Sequence, residues 1–220
     1  MLAAPWRQIL TDRVLPASLF GYLLLAQGLA AVQTWQGGAA SEAPLLAWTL
    51  LQRASSFILM TLVAALLIIR APRLGGRAGY VQTLVAIAGT WIMALQVLEP
   101  GQRPTIDLLI PSAVLLVGGN VLAIASLAHL GSAFGILPEA RGLVTSGPYR
   151  LVRHPVYLGE IIAALGAVLP ILSPTLACLL LAFMALQYWR ALNEERVLSA
   201  AFPAYSDYAA STWRAIPGVY

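Results

Sequence analysis

The chain has 220 residues, of which 60% are hydrophobic and only 10% charged; soluble domains carry about a quarter charged residues, so a water-soluble globule is excluded and an integral membrane protein is indicated. Its formal net charge is +4 and all 13 basic residues are arginines, scattered between apolar stretches rather than gathered on one face, which argues against a nucleic-acid partner. The single cysteine, Cys178, excludes an internal disulfide and, inside an apolar run, reads as a small buried packing residue.

Crossing about 30 Å of hydrocarbon as a helix takes about 20 apolar residues, and six stretches are candidates. The first, Val14 to Val32, follows Arg7 and Arg13; its apolar run exceeds the roughly 7 to 15 residues of a signal-peptide core, so it is expected to be retained. The second, Leu45 to Ile69, carries Arg53 within it, a residue expected to snorkel or to pair with Asp107. Tyr80 to Leu98 is the third. The fourth, Leu108 to Leu130, ends beside His129, which reads as a partner for the helix C-terminus. Val156 to Leu172 and Thr175 to Trp189 are shorter and are joined by Ser173 and Pro174, the signature of a tight helical hairpin. Gln27, Gln96 and Asn120 read as interhelical hydrogen-bond partners.

Placing the N-terminus in the cytoplasm puts every arginine except Arg103 and Arg53 on the inner side, as the positive-inside rule requires, and six spans return the C-terminus to that side. Residues 33 to 44 and 99 to 107 then form short outer turns, whereas the long polar segments 131 to 155 and 190 to 220 share the inner face, where a site can be shaped. The expected fold is all-α: one polytopic helical membrane domain over residues 1–220, with a helical part at 1–130 and a cofactor-binding part at 131–220. An arginine-only basic set and abundant alanine suit a GC-rich genome, and hence a bacterial inner membrane.

The chemistry concentrates in two polar stretches. In "LVTSGPYRLVRHP", residues 143 to 155, Gly147 and Pro148 form a turn and Pro155 opens the next helix, where its missing N–H costs nothing. His154 falls at the cap, beside unpaired N–H groups able to hold an anion such as the carboxylate of an amino-acid-like ligand. Tyr157 projects from the same side. Glu160 follows at lipid depth, where an ionisable residue is costly unless it faces a wet cavity or pairs with an arginine. In "YWRALNEERVLSAAFPAYSDY", residues 188 to 208, Arg190 and Glu194 are four apart and share a helical face, while Glu195 points away from Arg190. Alone such a pair is an ordinary surface feature; here it falls beside the His154 loop. Two histidines and one cysteine without ligand spacing support no metal site.

"LVTSGPYRLVRHPVYLGE" followed by "NEERVLSAAFPAYSDY" resembles the C-terminal half of the isoprenylcysteine carboxyl methyltransferases and their phospholipid methyltransferase relatives, over roughly residues 126 to 217. The resemblance implies an S-adenosylmethionine site between the two stretches, releasing S-adenosylhomocysteine. By position, Arg141, Gly142, Leu143 and Val144 match a strand-like segment lining the cofactor, and Tyr149 the tyrosine of the G-P-Y turn. His154, Pro155, Val156 and Tyr157 match the H-P-x-Y contact, and Glu194 a cofactor-binding acid. Arg190 matches a substrate-orienting arginine, with Glu160 beside it; Arg190 and Glu194 are the implied catalytic pair. The segment "GSAFGILPEARG" is shorter than in eukaryotic members, and the first half of the chain offers nothing to align.

Methyl transfer of this kind is an in-line displacement at a carbon made electrophilic by a sulfonium, so the protein has to align the reactants and exclude water. A carboxylate acceptor is already ionised and suits a bidentate arginine such as Arg190. An amine, thiol or alcohol would need a proton acceptor, for which Glu194, Glu160 and His129 are available. Membrane lipids and a lipophilic substrate entering between helices are the expected partners. Two other readings stay open. Membrane sterol and steroid reductases that use NADPH carry segments similar to "YLGE" and "RAIPGVY", and a non-catalytic membrane protein could keep the same fold.

Overall fold

The computed structural model describes residues 43–74, 79–98 and 104–218, with scattered positions between 14 and 32. Helix α1 spans Ala43–Ile69. Helix α2, Tyr80–Trp91, tightens into a 3-10 segment, Ile92–Leu98. A 3-10 turn, Ile106–Leu108, leads into α3, Leu109–Leu130. Helix α4 is Pro155–Val168 with a 3-10 turn at Leu169–Ile171, α5 is Pro174–Ala201 and α6 is Tyr205–Ser211. Among the described residues there is no strand; an isolated parallel bridge joins Val152 and Trp213, so the all-α expectation holds.

Three described helical segments are long and apolar enough to cross a membrane: Ala43–Ile69, Ile106–Ala133 and Pro174–Ala201. Shorter apolar helices at Tyr80–Gln96 and Pro155–Ile171 coincide with the third and fifth expected spans. The first expected span, Val14 to Val32, is described only at scattered positions, and Arg7, Arg13 and Gln27 lie outside the described residues. Phe20 is described; it is buried, with its ring 5.4 Å from that of Trp91.

The sixth expected span stops at Trp189, yet α5 runs twelve residues further to Ala201. The sequence Arg190 to Ala201 holds no glycine or proline and is rich in strong helix formers, so the helix ends only before Pro203, which disfavours helix in the preceding residue. Glu194 and Glu195 therefore ride on the same rod as the apolar span. At its other end Ser173 caps the helix, its Oγ accepting from Leu176 N at 3.1 Å, and Pro174 occupies the first turn.

The last two long helices form the expected hairpin, but α4 packs most closely on α3. A Cβ built at Gly119 would lie 2.3 Å from Ala163 N, and one at Gly166 2.4 Å from Leu116 N, so the two backbones touch along a seam of small residues, the usual device for joining helices in lipid. Trp48 Nε1 donates to Ser112 Oγ at 2.8 Å, and Ser112 Oγ donates to Gly166 O at 2.6 Å, tying α1, α3 and α4 together.

Between α3 and α4, residues 131–154 form a strap without long regular elements. Its first half is tied to the segment after α1: Ala71 N donates to Ser132 O at 2.6 Å and Leu74 N to Ala140 O at 2.7 Å. Its second half is tied to the C-terminal segment: Arg153 N donates to Trp213 O at 2.7 Å and His154 N to Arg214 O at 3.0 Å. One expectation is corrected here. Cys178 is exposed rather than buried, because it lies on a face of α5 that no other described helix covers. Among the described residues no ion pair links Arg53 with Asp107; Arg53 Nε is buried without a hydrogen bond.

Candidate functional site

The turn ahead of α4 is built around Gly147, whose φ is +59°, a conformation that favours glycine. A Cβ there would also fall 2.2 Å from His129 Cδ2. His129 thus buttresses the turn, with Nδ1 2.8 Å from Ala125 O, and does not line the cavity described below. Pro155, fully buried, opens α4. His154 at the cap position makes no capping hydrogen bond with its side chain. Its ring stacks on Tyr157, with centroids 5.6 Å apart and planes 13° apart.

That ring stands between the two acids of α5. Its Nδ1 is 3.8 Å from Glu194 Oε2 and its Nε2 is 3.1 Å from Glu195 Oε1. Tyr157 donates its hydroxyl to Glu194 Oε1, and the Arg190 guanidinium lies over the Tyr157 ring, 4.7 Å from its centroid, a cation–π geometry. Arg190 Nη1 donates to Gln187 Oε1 at 2.9 Å; Gln187 Nε2 donates to Glu160 Oε2, which sits 4.0 Å from Arg190 Nη1. Spacings of three and four residues along α4 and α5 put Tyr157 with Glu160, and Gln187 with Arg190 and Glu194, on facing stripes. Each charge is matched by an opposite charge or a hydrogen bond, as burial at this depth requires.

Glu195 faces the other way, toward the chain terminus. Arg214 holds it in a fork, Nε and Nη2 each 2.9 Å from a different carboxylate oxygen, and Arg153 Nη1 lies 3.2 Å from Oε1. The same segment contributes Tyr208, whose hydroxyl donates to Tyr149 O at 2.8 Å.

These residues form the polar end of a cavity of about 220 Å³. Of the residues expected to bind cofactor or substrate, Gly142, Leu143, Val144, Tyr149, His154, Val156, Tyr157, Glu160, Arg190 and Glu194 line it. Arg141 and Pro155 do not. Arg141 donates instead to Glu139 Oε2 and Ala71 O and braces the strap, while Glu139, also held by Arg73 Nη1 at 3.1 Å, reaches the cavity wall. Two tyrosines not among the expected site residues, Tyr205 and Tyr208, complete the polar end. Burial pushes the hydroxyls of both up to about 12, so each stays a neutral donor. Their signal was the Y-x-x-Y spacing inside "FPAYSDY". The opposite end is apolar, formed by Leu59, Met60 and Val63 of α1, Leu127 and Leu130 of α3, and Phe134 of the strap. Among the described residues no group of three or more His, Cys, Asp or Glu side chains is disposed to hold a metal ion.

Residues 109–204, from the start of α3 to the turn before α6, match the family model described as phospholipid methyltransferase. The nickel-cobalt-cadmium resistance protein NccN of Alcaligenes xylosoxydans xylosoxydans is 33% identical over 130 residues, covering 56% of this chain and 61% of NccN. Protein-S-isoprenylcysteine O-methyltransferase A of Arabidopsis thaliana is 32% identical over 117 residues, covering 48% of this chain and 57% of the plant protein. The chain thus spans about three fifths of the length of these curated relatives. The solved structure of a eukaryotic intramembrane Ras methyltransferase, an isoprenylcysteine carboxyl methyltransferase, superposes with a TM-score of 0.55 at 17% identity, covering 88% of this chain and 74% of that one; this likeness concerns the fold. Residues 109–204, which carry most of the polar end of the cavity, are thus similar to the phospholipid methyltransferase family, and the plant relative and the solved fold resemble isoprenylcysteine methyltransferases.

Proposed function

We propose that this protein is a membrane-embedded methyltransferase that uses S-adenosylmethionine and acts on a lipophilic acceptor, with its site on the cytoplasmic side of a bacterial inner membrane. The observation that carries the reading is a single cavity with two chemically opposite ends: one lined by His154, Tyr157, Glu194 and Tyr205, the other by α1, α3 and the strap.

The polar end suits the donor. An amino-acid group and a sulfonium need anionic and hydrogen-bonding partners in a place shielded from water. Glu194 and Glu160 turn carboxylates toward the cavity, and the buried Tyr205 hydroxyl makes no well-formed hydrogen bond of its own. When bound, S-adenosylmethionine supplies a methyl carbon made electrophilic by its sulfonium. Gly142 to Val144, His154, Tyr157 and Glu194 hold that end, and the stacked His154 and Tyr157 rings restrict its freedom, the alignment on which such displacements depend. Arg190, steadied by Gln187 and Glu160, orients the acceptor, and the α1 and α3 side chains receive its apolar tail and exclude water. An S-prenylcysteine carboxylate, the acceptor class in the names of the plant and Ras-modifying relatives, matches this division: an anion for Arg190 and a hydrocarbon for the apolar end.

Purified protein incubated with methyl-labelled S-adenosylmethionine and N-acetyl-S-farnesylcysteine is expected to yield a base-labile labelled ester. Heat stabilisation by S-adenosylhomocysteine but not by NADPH is expected alongside it. Stabilisation by NADPH alone would replace the proposal with the reductase reading.

A further inference from the structure

Arg190 is held on three sides by residues of the family-matched region, by Tyr157, Gln187 and Glu160. Its fourth side is closed from outside that region, by helix α2. Gln82, Ala86 and Gly89 recur along α2 at helical spacing, and the first two line a narrow cleft with Arg190, Asn193 and Glu194 of α5. At the end of this face α2 has no side chain to offer. A Cβ at Gly89 would lie 2.6 Å from Arg190 Cδ, 3.1 Å from Gln187 Oε1 and 3.5 Å from Leu186 Cβ.

We infer that Gly89 is a positioning residue for Arg190: its bare Cα is the seat on which the arginine stem rests, and α2 thereby sets where the guanidinium stands in the site. The inference rests on the proposed role of Arg190. The reasoning is steric. Helical backbone does not require glycine here, and glycine inside a helix is unfavourable relative to alanine, so the residue works against its own helix. The missing methyl leaves room for one thing, the Cδ of Arg190 together with the Gln187 amide. An added methyl would push the stem away from α2, into the Tyr157 ring that already lies under the guanidinium. Gln187 would lose its place between Arg190 and Glu160. Displacements of about 1 Å at a reacting centre cost on the order of a hundredfold in rate. Gly89 touches neither donor nor acceptor and acts only through Arg190.

The test is a double-mutant cycle in purified protein: wild type, Gly89→Ala, Arg190→Ala and the double variant. The first readout is the thermal midpoint, which requires no methyl transfer. Gly89→Ala is expected to raise the midpoint more in the Arg190→Ala background than in the wild type, because the helix gains from alanine only once the stem is gone. Should Gly89→Ala fail to fold, the double variant is expected to fold; its failure, or equal midpoint shifts in both backgrounds, overturns the inference. The second readout is transfer to N-acetyl-S-farnesylcysteine. Gly89→Ala is expected to lower kcat roughly ten- to a hundredfold with KM for S-adenosylmethionine changed less than about threefold; a wild-type kcat overturns the inference. A protein without methyl transfer in any form would refute the proposed function, while the midpoint coupling would still decide the role of Gly89.

Discussion

His154 Nε2 stands 3.1 Å from Glu195 Oε1, and this contact fastens the cap of α4 to the polar end of α5. Because Glu195 also takes Arg214 in a fork and Arg153 at 3.2 Å, one carboxylate joins the His154 loop, α5 and the C-terminal segment. Glu195→Gln removes the charge and leaves two guanidiniums facing each other. A fully buried pair broken this way costs about 3 to 5 kcal/mol; solvent reaches this cluster, so about 1 to 2 kcal/mol is expected here. The measurement is the thermal midpoint together with S-adenosylhomocysteine affinity, both of which are expected to fall. An unchanged midpoint would show that the hub contributes nothing to holding the loop.

Tyr157→Phe separates the two tasks of Tyr157. The ring that stacks on His154 and lies under Arg190 remains, while the hydroxyl donated to Glu194 is lost. Hydrogen bonds to charged groups are worth about 1.5 to 3 kcal/mol, and the loss falls on the placement of Glu194. Donor affinity is expected to drop by about tenfold, read by calorimetry with S-adenosylhomocysteine, and the thermal midpoint is expected to fall by a few degrees.

The two tyrosines of α6 give the protein an alkaline limit. Burial moves the ionisation of Tyr205 and of Tyr208 from 10.0 up to about 12 in the fold. For an acid whose folded value is raised, the folded state keeps its proton longer than the unfolded chain does. The stability it contributes is intact below pH 10 and is lost as pH climbs from 10 to 12. The thermal midpoint is therefore expected to fall over that window, and less steeply in Tyr205→Phe. Below pH 9 the two proteins are expected to show the same pH dependence.

How far the site could be read in advance depended on contrast. Arg153, His154, Tyr157 and Glu160 stand out because polar side chains in an oily chain must have a reason to be there, and Pro155 marks where a helix begins. Glu195 was read as pointing away from Arg190, which it does, but its partners Arg153 and Arg214 come from separate segments that no local spacing connects. Leu59, Met60 and Val63 gave no signal, because a leucine that lines a cavity and a leucine that faces lipid have the same composition. Arg141 matches a cofactor-lining segment by its position in the motif, whereas its partners Glu139 and Ala71 follow only from the packing of the strap. Hydropathy leads to an expectation of six spans, but the close approach of α3 to α4 depends on which glycines face each other, and that requires the rotation of each helix about its axis.

That rotation can be tested on two neighbours in α3. Gly118 has nothing among the described residues within 4 Å of a built Cβ, whereas Gly119 faces Ala163 N at 2.3 Å and Gly159 O at 2.6 Å. The pair share a helix, a depth and a chemistry, and differ only in direction. Gly118→Ala is expected to leave stability unchanged or raise it by up to about 1 kcal/mol, the helix-propensity gain. Gly119→Ala must drive α3 and α4 apart, because both obstructing atoms are backbone and cannot swing aside. Overpacking of this kind costs about 1 to 3 kcal/mol. It would also shift the start of α4, which carries His154 and Tyr157. Lowered thermal stability and lowered S-adenosylhomocysteine affinity are therefore expected together for Gly119→Ala, and neither for Gly118→Ala. Equal behaviour of the two variants would mean that the α3–α4 seam is rotated from its place in this structure.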